Sequence, residues 1–166
     1  AKISEKARKH AAKNPFALFR EVLSVEQILA ADEVFDPLTR FQCCPPTCGA
    51  AAAILCSDDF AKRKGLTPAV HIAGQVMKTD FASSFDGKSM IKMIGYDMAK
   101  AAATELYEKT GTGPEDVQVV ELHDCFTSNE LLTYEAIGLC PEGEAVALIW
   151  DEDITSGGSF VTYPSG

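Results

Sequence analysis

The sequence predicts an α/β fold, and three observations carry that expectation. Strand-like and helix-like segments alternate along the chain. Hydrophobic residues make up 46% and charged residues 23% of the 166, the balance of a chain that buries a core. The length suits about one domain, and no linker-like stretch divides it. The formal charge of −9 argues against non-specific nucleic-acid binding, which depends on Lys and Arg contacts to phosphate. The apolar runs are too short for a membrane span, which takes about 20 residues.

The first forty residues read as helix-rich. Lys2, Lys6, Arg8, Lys9 and Lys13 make a basic amphipathic helix, read as a solvated face rather than a phosphate site. Asn14-Pro15 ends it. Ser24-Val25-Glu26-Gln27 has the spacing of a capping box and opens a short helix to about Ala31. Asp36-Pro37 breaks the chain again.

Residues 43–49 form a loop punctuated by Pro45, Pro46 and Gly49. Residues 50–56 are continuously apolar and read as a central strand, although so short a run cannot be told from buried helix by period. Ser57-Asp58-Asp59 opens a helix that Gly65 stops. Residues 68–77 read as a second strand, with Val70, Ile72 and Val76 alternating against His71 and Gln75. A polar loop follows over 78–88.

Residues 89–110 give the clearest helical pattern, with Ile91, Ile94, Met98, Ala102 and Leu106 on one face. Gly111, Gly113 and Pro114 end it. Residues 117–122 read as a strand. Thr127-Ser128-Asn129-Glu130 reads as a capping box, with Glu130 a cap, and its helix closes at Gly138. Residues 145–150 and 160–163 read as closing strands.

Six cysteines occur, at 43, 44, 48, 56, 125 and 140. Cys43-Cys44-x3-Cys48 has no second knuckle, and His10, His71 and His123 are scattered, so no metal site is expected. The loop thiols and Cys140 read as structural, the former as small and buried, and the chain as intracellular, reduced and metal-free.

Chemistry concentrates in Glu121-Leu122-His123-Asp124-Cys125-Phe126. A strand runs directly into three polar side chains, and a helix begins just after. Ligands of α/β sheets bind beyond the carboxyl ends of strands. A helix N-terminus favours negative charge beside it, a setting in which the Cys125 thiol can serve as acid and base. His123 can donate to a developing oxyanion. Asp124 reads as structural. On spacing alone, a core-edge histidine and an inert buried thiol remain equally open.

The stretch VVELHDCFTSNELLTYEAIGLCPEGEA (119–145) resembles the thiolases of the sterol carrier protein X type, also called sterol carrier protein 2/3-oxoacyl-CoA thiolases. Its His-Asp-Cys-Phe tetrad stands where other thiolases have Asn-Glu-Ala-Phe. The likeness extends through Lys88-Ser89-Met90-Ile91-Lys92-Met93-Ile94-Gly95, the segment from Gly49 to Leu55, and Glu33-Val34-Phe35-Asp36.

The resemblance implies a layered α/β/α fold with mixed sheets, built from two similar halves and a CoA-holding loop region. On that map residues 1–48 are the end of the loop region, 49–88 the end of the first half, and 89–166 the start of the second. It implies thiolytic cleavage of 3-oxoacyl-CoA with CoA as co-substrate, on branched-chain or sterol side-chain substrates in peroxisomal β-oxidation, by a homodimer. His123 takes the oxyanion-stabilising position of the motif's Asn, and Cys125 is the candidate second acid/base. No cysteine here stands in the family's nucleophile motif, and no Gly-His-Pro occurs. The chain begins without Met and closes at Pro164-Ser165-Gly166, so it reads as a piece, inactive alone. A non-catalytic acyl-CoA- or lipid-binding module is the alternative, and the parent's separate lipid-carrier domain is where a peroxisomal signal would lie.

Overall fold

The computed structural model describes residues 1–68 and 70–166. Helices dominate and the strands are short. In order they are α1 Lys2–Ala11, α2 Val25–Leu29, β1 Glu33–Phe35, β2 Leu38–Thr39, α3 Asp58–Lys64, α4 Ser83–Asp86, α5 Met90–Met93, α6 Tyr96–Thr110, β3 Val119–Val120, α7 Thr127–Ala136, α8 Ala145–Trp150 and β4 Val161–Thr162. Single 3-10 turns occupy Arg40–Gln42 and Pro114–Asp116.

Several local signals act as expected. Ser24 and Gln27 form a reciprocal capping box: the Gln27 amide donates to Ser24 Oγ (3.3 Å) and the Ser24 amide donates to Gln27 Oε1 (2.9 Å). Ser57 caps α3 through the Phe60 amide (3.2 Å). Gly65 stops that helix at φ +63°, a left-handed conformation that costs glycine nothing for want of a Cβ. β3 and β4 pair in parallel, Val119 with Val161 and Val120 with Thr162, which keeps the α/β class.

Other expectations are corrected. Residues 50–56 carry no strand and lie exposed, with Ile54 at 100%. The expected strand at 68–77 is irregular and, apart from half-buried Val76, exposed over its described residues, and its Ala69 lies outside them. A strand needs a neighbour for its N–H and C=O groups, and neither segment has a ladder partner among the described residues. Residues 145–150 are α8 rather than a strand. Ala145 and Ile149, four apart, are its buried positions, so the apolar run was a helix face. The long helix divides into α5 and α6 at Gly95, whose φ of +95° breaks the helical path. The loop cysteines are not buried: Cys44, Cys48 and Cys56 are exposed and Cys43 half-buried, and all six thiols are free.

The core is small. Ile3 from α1, Tyr134 from α7, Ala145 and Ile149 from α8, and Ile154 form its buried cluster, with Leu122, Leu131, Leu139, Cys140, Leu148 and Phe160 packed around it. Burial pushes the Cys140 thiol up to about 11, with Glu135 and Glu144 adding to the shift, in keeping with a packing role. β3 and β4 run along this core, and the segment after β3 emerges at its edge.

Candidate functional site

The site is a four-residue turn, His123 to Phe126, held between β3 and α7. Its backbone is pinned on two sides. The Cys44 amide donates to the Cys125 carbonyl (2.9 Å), and Cys43 and Phe126 form an isolated antiparallel bridge. The Asn129 side-chain amide, one turn into α7, donates to the His123 carbonyl (2.8 Å). Phe126, not Thr127, occupies the N-cap position of α7, and no side chain caps the helix.

His123 is exposed, while Asp124 and Cys125 are half-buried. His123 and Asp124 line a cavity of about 390 Å³ with Arg8, Cys43, Cys44 and Tyr163. Cys125 does not line it, although it lies two residues from His123 on the same turn. Arg8 is the cavity's cation. Its guanidinium stacks over the rings of Phe19 (5.1 Å) and Phe41 (5.6 Å), contacts worth about 0.5–1 kcal/mol each at exposed sites. Residues from α1 and from the 3-10 turn at Arg40–Gln42 therefore close over the turn that carries His123. Among the described residues, no group of three or more His, Cys, Asp or Glu side chains is placed to hold a metal.

Beneath the turn lies a charged cluster that local sequence pattern does not reveal. Glu130 is no cap: its side chain points inward and is fully buried, and it forms an ion pair with Lys6, itself only 5% exposed. Lys6 Nζ also donates to Thr162 Oγ1 (2.7 Å), the Thr162 carbonyl (3.3 Å) and Tyr134 OH (3.0 Å). Tyr134 OH donates to the same Glu130 oxygen. Burial pulls the Lys6 ammonium down from its ordinary value, and the Glu130 charge partly restores it. Burial also raises the Tyr134 hydroxyl, with the Glu130 charge adding to the shift. Asp124 is pushed up to about 7, first by burial, then by the Glu130 charge and a hydrogen bond with Glu130.

The basic face of α1 is thus only partly solvated. Lys6 is sunk in the core, and Lys2 and Lys9 pair with Glu5 at 3.0 and 3.2 Å. The sequence signal that points to Lys6 is its spacing from Ile3 and His10, both buried on the same helix face. No helix among the described residues is long and apolar enough to cross a membrane.

Residues 81–166 match the family model described as "Thiolase C-terminal domain-like". The chain belongs to the thiolase family. Its likeness is of the sterol carrier protein 2 type, with 54% identity to sterol carrier protein 2 of Rattus norvegicus over all of this chain and 30% of that protein. It is 40% identical to the benzoylsuccinyl-CoA thiolase subunit BbsB of Thauera aromatica, over all of this chain and 42% of that one. The Ltp2-ChsH2(DUF35) aldolase superposes with a TM-score of 0.75 over 99% of this chain and 43% of that chain, at 22% identity, a likeness of fold. The chain therefore spans less than half the length of these relatives.

Proposed function

We propose that this chain is part of a 3-oxoacyl-CoA thiolase that cleaves 3-oxoacyl-CoA with CoA as co-substrate. The observation that carries the reading is the pinned turn, which sets His123 on a cavity with one cationic wall and Cys125 two residues away at the start of α7. His123 is the oxyanion donor. A ring N–H aimed at developing negative charge contributes a factor of about 10²–10³ to turnover. Cys125 is the second acid/base, giving a proton to the carbanion that the departing acyl group leaves behind. Arg8 offers a charge for a phosphate or thioester oxygen at the cavity's rim.

Family likeness supports the wider reading. Residues 1–48 are the end of a loop region, 49–88 the end of a first thiolase half, and 89–166 the start of a second. Branched-chain or sterol side-chain acyl groups are the substrate class, peroxisomes the location and a homodimer the parent assembly. None of the six cysteines here takes the nucleophile's part, so this chain alone should give no detectable acetoacetyl-CoA thiolysis.

The test is made on the parent protein. His123→Ala and Cys125→Ala should each lose most turnover, by about 10²–10⁴-fold, while acyl-CoA binding survives. Normal turnover in both variants overturns the assignment. A second reading, a module that binds acyl-CoA or lipid without catalysis, is favoured by one observation: Cys125 stands off the cavity that His123 lines. It predicts acyl-CoA binding with no turnover in the unaltered parent.

A further inference from the structure

The cluster under the turn has an odd arrangement of donors. Lys6, Tyr134 and Thr162 all donate to Glu130 Oε1. The other oxygen, Glu130 Oε2, is buried with no donor from these groups, and so is Asp124 Oδ1. Glu130 nevertheless raises the Asp124 carboxyl through its charge and through a side-chain hydrogen bond. Two ionised carboxylates cannot hydrogen-bond, because neither has a proton to give. The charges give the same answer. One ammonium faces Glu130, which is fully buried, and Asp124, which is half-buried, and two anions would leave a net negative charge that burial penalises. One proton makes the cluster neutral and fills both vacant oxygen positions with a single bond.

We propose that Asp124 is a carboxylic acid that donates its proton to Glu130 Oε2, and that this buried pair, anchored by Lys6, is the positioning device that sets His123 and Cys125 on either side of it. The proton's existence stands on the donor count and the charge balance; its positioning role rests on the thiolase reading above. Asp124 touches no reacting atom in this scheme. It acts through the backbone of the turn, which it ties to α7 through Glu130 and to α1 through Lys6. The other titratable and charged groups packed around it are Arg8 and His10 on α1, Cys43 and Cys44 across the cavity, Tyr134 on α7, Glu121 next to β3, and Tyr163 just beyond β4. The Arg8 guanidinium lies over the rings of Phe19 and Phe41. His10 is engaged with the Tyr163 carbonyl at 3.1 Å. Glu121 accepts from the Ser165 amide (3.0 Å) and hydroxyl (2.7 Å). Lys6 is therefore the cation that matches the pair.

The experiment uses the parent protein and two readouts. The first is the infrared carbonyl band of a protonated carboxyl group near neutral pH. It should be present in the unaltered protein and absent from both Asp124→Asn and Glu130→Gln, since either change leaves Lys6 one carboxylate and no need of the proton. A band missing from the unaltered protein, or surviving in both variants, overturns the shared proton. The second readout is turnover. Asp124→Asn keeps a neutral group that can donate to Glu130 and should retain most of kcat. Asp124→Ala cannot, and should lose about a hundredfold in kcat with KM little changed, the scale of a small misplacement of reacting groups. Equal kcat in Asp124→Ala and the unaltered protein overturns the positioning role. Should Asp124→Ala fail to fold, a large kcat loss in folded Asp124→Asn would overturn that role too. If the unaltered parent shows no thiolysis, the function proposed above falls and takes the positioning role with it, while the infrared band still decides the proton.

Discussion

Two regions of this chain reverse what their sequences suggest, the apolar one lying exposed and the charged one buried. Residues 50–56 form an unbroken apolar run, yet Ile54 and Leu55 stand 100% and 74% exposed. The second region, α1 with α7, α8 and β4, carries Lys6, Glu130, Tyr134 and Thr162 in its interior, all 5% exposed or less. Burial follows from available partners and not from hydrophobicity alone. An apolar strand with no neighbour keeps unpaired backbone groups and stays in water. A lysine with a carboxylate, a hydroxyl and a carbonyl waiting for it can be drawn into a core.

The comparison can be broken at its charged end first. Glu130→Ala in this chain removes the carboxylate paired with the buried Lys6 ammonium, and should cost about 3–5 kcal/mol in urea unfolding. A loss below 1 kcal/mol would show that Lys6 reaches water. The double change Lys6→Met with Glu130→Leu should recover much of that loss, because it removes both charges at once.

The pH dependence sharpens the same point. The Asp124 carboxyl is raised on folding, from 3.8 to about 7. A group raised by folding stabilises fully below its unfolded value, and that share is lost as pH rises through its folded value. From pH 4 to pH 8 the unaltered chain should therefore lose stability relative to Asp124→Asn, most steeply between the two values and levelling off above 7. Parallel stability curves for the two proteins would count against a protonated Asp124. At the exposed end the expected effect is smallest. Ile54→Ser in this chain should shift unfolding by no more than about 0.5 kcal/mol, as for an ordinary surface site. A larger loss would mean that the run packs somewhere.

The sequence made legible what local chemistry decides. Ser24 and Gln27 cap because both partners lie within one turn, and Gly65 stops α3 because the stop is a property of one residue. The placing of His123, Asp124 and Cys125 between a strand and a helix was likewise readable, since β3 and α7 flank them directly. The ion pair of Lys6 with Glu130 was not, because its partners are 124 residues apart. Glu130 carried a strong local signal, the T-x-x-E spacing, and a distant cation overrode it. The apolar run at 145–150 was ambiguous by its length, and its four-residue spacing of Ala145 and Ile149 resolves it as helix. The strands at 50–56 and 68–77 failed for want of neighbours and not for want of pattern.

The bond from the Cys44 amide to the Cys125 carbonyl has a consequence for the histidine. In an antiparallel pair built on Cys43 opposite Phe126, the next amide due to donate, to the His123 carbonyl, belongs to residue 46. That residue is Pro46, which has no N–H to give. The pairing halts after one bond, and the carbonyl it leaves over is taken by Asn129. His123 thus lies beyond the ribbon that fixes Cys125, and two residues of one turn have different backbone anchors: Cys125 is held by Cys44 across the ribbon, and His123 by Asn129 on α7.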